Sequence, residues 1–189
     1  MQADVVRMGA TGELRLYERS ARSIASRIAA ELVVLSIGGD CGTLQARLDE
    51  ISPSQAWRGV EELAAFYLFV AQKSVPAHLG GAVGASTDAF LEMLWEETWA
   101  HLATAAGTQT FEERASFAEL WYRRKHQYAS RERMYRREGE ELAGTVIFHL
   151  YENLQAIGEE MRVEVLAALQ LERLFDAIAE AFGEQVDPS

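Results

Sequence analysis

Residues 52–75 read SPSQAWRGVEELAAFYLFVAQKSV. Ser52 can cap a helix, Pro53 suits the first helical position, where a backbone N–H would have no partner, and Gln55 stands three residues after the cap. The stretch therefore predicts a helix over 53–75, stopping before Pro76. Its second half, Leu63 to Ala71, is apolar all the way round. A helix with no polar face to give to water has to be enclosed by others, so this one is expected at the centre of an all-α fold.

Working outward, the same helical spacing recurs on both sides. Leu14, Tyr17, Ala21, Ile24, Ile28, Leu32 and Leu35 form one apolar face and predict a helix over 13–37, with Gly38 and Gly39 to end it. A short helix over 43–51 follows, with Thr43 as its cap. Beyond the central segment, helices are predicted over 87–106, closed by Gly107, and over 111–128, opened by the capping pair Thr110 and Glu113. Further helices are predicted over 130–158 and 159–182, the latter with Ala167, Leu171, Leu174, Ile178 and Phe182 on one face. Ser130 can cap a new helix, so 110–158 reads either as one continuous helix or as two with a joint near Ala129. No strand-like alternation of any length competes. The expectation is one domain over 1–189, a bundle of about six or seven helices with one or two long ones.

Composition bounds the function. A 189-residue chain with 49% hydrophobic residues and three prolines has the makings of a sizeable core. Leu63 to Ala71 is the longest apolar run, far short of the ~20 residues a membrane helix requires. Asp4 and Glu13 stand near Met1 in place of a basic segment and an apolar stretch, so no secretory signal is read and a cytoplasmic protein without membrane insertion is expected. Cys41 is the single cysteine, which excludes an intrachain disulfide and an all-cysteine metal site.

The net charge of −11 is unevenly spread. Between Arg123 and Arg137 seven Lys or Arg residues face one acid, Glu132, whereas the rest of the chain has 11 bases and 28 acids. This basic island comprises Arg123, Arg124, Lys125, Arg131, Arg133, Arg136 and Arg137, interleaved with Tyr128 and Tyr135. Helical spacing lines up Arg124, Tyr128, Arg131 and Tyr135, and puts Arg133, Arg136 and Arg137 on another face. Guanidinium forks grip phosphates and flat tyrosines stack on bases, so the island suits RNA or single-stranded DNA. The competing reading pairs these arginines with acidic faces of the same fold or of a protein partner. Glu138, Glu140 and Glu141, directly after the island, favour that reading. Arg15, Arg19 and Arg22 make a second, smaller basic stripe.

Two histidines stand on apolar helices with a carboxylate one turn away, Glu97 with His101 and His149 with Glu152. Converging, they could hold a metal, as helical bundles with iron or manganese do. The Glu-x-x-His order of those proteins is missing, so these four are weak metal candidates and the histidines read first as core residues satisfied by neighbours. Thr145, His149 and Asn153 draw a polar line on an apolar helix, which suits a face turned to another helix. Cys41 has no local base to activate it. The glycines Gly80, Gly81 and Gly84 lack the Gly-Lys-Ser/Thr ending of a phosphate loop. Trp57, Trp95, Trp99 and Trp121, spread over three helices, read as core residues or contact anchors.

No catalytic signature emerges, no cofactor is expected, and an enzyme is the less favoured class. The leading expectation is a helical interaction protein, an adaptor, regulatory or assembly subunit, that uses the basic helix as its contact surface on a protein partner or on a second copy of itself. An RNA- or single-stranded-DNA-binding subunit using the same helix is the alternative, and a metal-dependent helical enzyme the third reading.

Overall fold

The computed structural model describes residues 3–38, 52–79, 87–107, 110–135, 142–167 and 169–183; within these, the side chains of 3–19, 131–135 and 142–145, and a few isolated ones elsewhere, lie outside the description. Every regular element among the described residues is helical: α1 (Ala3–Ser36), α2 (Pro53–His78), α3 (Thr87–Ala106), α4 (Phe111–Tyr135), α5 (Leu142–Asn153), a 3-10 turn (Leu154–Ile157), α6 (Glu159–Ala167) and α7 (Leu171–Gly183). The fold is an all-α bundle.

α2 is its centre. The Ser52 hydroxyl accepts from the Gln55 N–H at 3.4 Å and donates to the Gln55 side-chain oxygen at 2.8 Å, with Pro53 opening the first turn. All residues from Leu63 to Phe69 are buried, a run that leaves no side open to solvent. α1, α3, α4, α5, the 3-10 turn and α7 all pack on it. Gly59 admits the 3-10 turn: a Cβ there would stand 3.2 Å from Ile157 Cγ2.

Paired contacts give the directions. Arg22 meets Glu96 and Glu97 while Ser26 meets His101, contacts that advance together, so α1 and α3 run in the same direction. Likewise Gln170 meets Tyr67 and Phe182 stacks on His78, which sets α7 parallel to α2. Arg173 of α7 pairs with Glu31 of α1, closing the far side of the core. That core includes Ala21, Ile24, Ile28 and Leu32 from α1 and Leu174, Ile178 and Phe182 from α7, as the helical spacing predicts.

Several boundaries differ from the sequence expectation. α1 begins at Ala3 and not at 13. Gly9 and Gly12 argue for a later start, yet a glycine inside a helix costs only about 1 kcal/mol, which a 34-residue helix can carry. Its other end falls as predicted, with Gly38 at φ 105° and its N–H on Leu35 O at 3.3 Å. α2 continues through Pro76 to His78. A proline this near the C-terminus removes only the one hydrogen bond its own N–H would have made, and the Leu79 N–H still reaches Val75 O at 3.1 Å.

α4 passes Ala129 and Ser130 without a joint, so residues 130–135 belong to it, and the helix predicted over 130–158 does not begin at 130. Its tail is α5 and the 3-10 turn, ended by Gly158 at φ 88°. The segment predicted over 159–182 is divided into α6 and α7. At the division the Gln170 N–H donates to the Tyr67 hydroxyl at 3.3 Å, a backbone bond drawn to the core in place of a helical one. The short helix over 43–51, Cys41, and the glycines Gly80, Gly81 and Gly84 lie outside the described residues.

Candidate functional site

The front half of the basic island rides on α4, whose start is fixed by the capping pair the sequence shows. The Glu113 N–H donates to Thr110 Oγ1 at 3.2 Å, and Glu113 Oε2 accepts from the Thr110 N–H at 3.1 Å. Phe117, Trp121 and Tyr128 are buried at spacings of four and seven, with Arg124 between them on the same stripe. That stripe faces α2.

Arg124 is therefore an inward residue. Its Nε donates to Glu62 Oε2 at 2.7 Å and its Nη2 to Glu62 Oε1 at 2.5 Å, a two-pronged bond between side chains only 16% and 6% exposed. Burial works against the guanidinium charge; the hydrogen bonds and charge of Glu62 outweigh it and raise the pKa above its ordinary value. The chain of bonds continues outward: Arg124 Nη1 donates to Gln127 Oε1 at 3.0 Å, and Gln127 Nε2 lies 3.2 Å from Nδ1 of His149 on α5. Beside it the Asn153 amide donates to the Tyr128 hydroxyl at 3.2 Å. Tyr128 has no exposed surface, packs against Phe66 and Phe69, and burial drives its hydroxyl pKa far above the ordinary value.

Arg124 and Tyr128, assigned from sequence to a binding surface, are thus part of the core: helical spacing gives a common face and cannot say which way it turns. The outer face keeps Arg123, His126 and Tyr122, the last 61% exposed. Arg123 forms no ion pair among the described residues. Lys125 lies over the Trp121 ring at 5.8 Å. The side chains of Arg131, Arg133 and Tyr135, and all of Arg136 and Arg137, lie outside the described residues.

In the smaller stripe, Arg22 bonds Glu97 at 2.9 Å and Glu96 at 3.2 Å, while the side chains of Arg15 and Arg19 lie outside the description. The four weak metal candidates are not brought together. Glu97 and His101 face α1 through Arg22 and Ser26, His149 is held by Gln127, and Glu152 accepts from Gln155. Among the described residues no group of three or more His, Cys, Asp or Glu side chains is placed to hold a metal. Of the polar line, His149 and Asn153 face α4, as expected of a line turned to another helix, while the side chain of Thr145 lies outside the described residues.

The tryptophans are packed as core and edge residues. Trp121 is buried, Trp99 stacks on Phe117 at 6.0 Å, and Arg114 covers Trp95 at 5.3 Å. Trp57 hydrogen-bonds the Glu61 carboxylate. Burial raises the Glu61 pKa; the Trp57 bond opposes the rise and the Glu62 charge adds to it. A carboxyl whose folded pKa is raised contributes its full stability below the unfolded value and loses it as pH climbs through the folded one. Glu61→Gln, which keeps an oxygen for Trp57, is therefore expected to raise the thermal midpoint at pH 7 and to leave it unchanged at about pH 3, where both forms are neutral.

Glu62 and Gln127 are the site residues that sequence reasoning missed. Glu62 left a signal: a carboxylate one turn before Phe66, at the mouth of an apolar run, has to find a cation if it is buried. Comparison of the chain with protein-family models, with curated proteins and with solved structures returns no match, so the functional reading rests on this geometry.

Proposed function

We propose that the chain is a non-catalytic helical interaction protein, an adaptor, regulatory or assembly subunit, whose contact surface is the outer face of α4. The observation that carries this is the contrast between the two sides of one helix. The inner side is fixed by Phe117, Trp121, Arg124 and Tyr128, so the outer side is presented on a rigid support. There Tyr122 stands open to water beside Arg123 and His126. Tyr and Arg are the residue types that anchor protein interfaces, joining a flat apolar body to a fork of hydrogen-bond donors. An acidic protein surface suits this set. The alternative of RNA or single-stranded DNA is weakened because Tyr128 and Arg124, two of the groups that would stack on bases and grip phosphates, are inside.

The test compares the wild type with a variant carrying Tyr122→Ala and Arg123→Glu, both at exposed positions. Cross-linking in extract of the source cells should give a defined complex with the wild type that drops at least about tenfold in the variant, a loss of the size expected for two anchors. A wild type that remains monomeric and partnerless counts against the reading. Labelled single-stranded RNA or DNA bound at low salt, with affinity falling steeply as salt rises, would replace it by the nucleic-acid reading.

A further inference from the structure

We infer that the outer face of α4 takes a second copy of the same face, the two helices lying antiparallel about a twofold axis between Tyr122 and Arg123. This rests on the proposed reading of that face as a contact surface and names its partner. The face is a continuous seam. Glu112, Ala115, Glu119, Tyr122 and His126 follow one another at steps of three and four, with Ser116, Arg123 and Ser130 beside them, and all eight are exposed. That spacing is the one by which two helices keep a line in contact along their length. From Glu112 to Ser130 the seam runs about 27 Å, at the helical rise of about 1.5 Å per residue.

The order of polar groups along the seam selects the partner. Its acids, Glu112 and Glu119, precede Tyr122, while Arg123 and the imidazole of His126, which offers an N–H donor in either protonation state, follow it. Nucleic acid lying along the seam would meet two carboxylates as well as the donors, and a uniformly acidic protein would do the same. The surface that fits sets donors against Glu119 and an acid against His126, which is this seam read backwards. A parallel copy would instead set Glu119 on Glu119 and Arg123 on Arg123.

With the axis between Tyr122 and Arg123, positions equally far from it meet, each pair twice. Tyr122 lies against the second copy's Arg123, a ring under a guanidinium. Glu119 lies against the second copy's His126, with that copy's Arg123 one turn away on the same side. Ala115 lies against the second copy's Ser130, two small side chains that let the helices come close. These groups are not committed within the fold: among the described residues the side chains of Glu119, Arg123 and His126 form no hydrogen bond or ion pair, although Glu119 and Arg123 stand one turn apart on one helix. The mixed signs of the seam let two chains of net charge −11 approach there, since repulsion between the rest of their surfaces is screened over about 8 Å at physiological salt. One helix face is small for an interface, so the dimer is expected to be reversible.

The experiment is sedimentation equilibrium of the full chain at physiological salt over a range of concentrations. The wild type should form a reversible dimer. Arg123→Glu, which sets carboxylates against Glu119, and Glu119→Arg, which sets guanidinium groups against Arg123, should each raise the dimer Kd at least about tenfold, as like charges juxtaposed across an interface do. Both positions are exposed, so the circular dichroism of each variant should match the wild type. Mixed in equal amounts, the two variants should restore a dimer containing one chain of each, because each supplies the charge the other lacks. A wild type that stays monomeric at every concentration overturns the inference. A complex with another protein, lost in the variant carrying Tyr122→Ala and Arg123→Glu, would then leave the contact reading of α4 standing, and no complex at all would remove both. A dimer insensitive to both reversals overturns the inference as well, as does a mixture that fails to restore what the reversals break.

Discussion

Glu62→Ala is expected to cost about 3–5 kcal/mol of stability, the loss typical when one partner of a buried ion pair is removed. The size follows from what stays behind. Arg124 would keep a permanent charge in a side chain 16% exposed, with Gln127 as its remaining described hydrogen-bond partner. With a urea slope of about 2 kcal/mol per molar, the unfolding midpoint falls by roughly 2 M. The pair itself is not required for stability. Glu62→Leu combined with Arg124→Met removes both charges and keeps apolar bulk, and should recover most of the loss, since well-packed apolar replacements of such pairs are often neutral or better. A double variant as unstable as Glu62→Ala would show that the pair stabilises the fold beyond the cost of its own desolvation.

Tyr128→Ala is expected to have an effect of similar size, about 3–5 kcal/mol, from the cavity left by a large aromatic ring. Tyr128 is fully buried, with ring centroids 5.2 Å from Phe69 and 6.1 Å from Phe66, where α4 meets the central helix. Tyr128→Phe keeps the ring and deletes only the hydroxyl that accepts from Asn153, so it should cost about 1 kcal/mol. Urea unfolding of the two variants checks the ratio. Near-equal losses would mean that the bond to Asn153, and not ring packing, dominates at this point.

The parts of this fold that local chemistry decides were legible from the sequence. The Ser52 and Thr110 caps, the Gly38 and Gly107 ends and the enclosure of Leu63 to Phe69 each depend on residues within a turn or two of one another. What was not legible depends on contacts distant in sequence. The division between α6 and α7 is accompanied by a bond to Tyr67, 103 residues away, and the inward turn of Arg124 by Glu62, 62 residues away. A line of Arg and Tyr at helical spacing reads the same whether it faces water or a buried carboxylate. The basic island was therefore visible as a composition, while its division into an inner and an outer side was set by α2.

The pairing of Arg173 with Glu31 joins α7 to α1 across most of the chain's length. During synthesis at roughly 5–20 residues per second, α1 and α2 emerge long before the helix that covers their shared apolar face. The part of α1 and α2 that α7 covers must therefore wait for Leu174 and Ile178 to leave the ribosome, while α3 can already pack on α1. Contacts of such span slow folding because the loop has to close before the contact repays it. The bundle is thus expected to complete its fold only once α7 has emerged, with α1, α2 and α3 able to assemble before it.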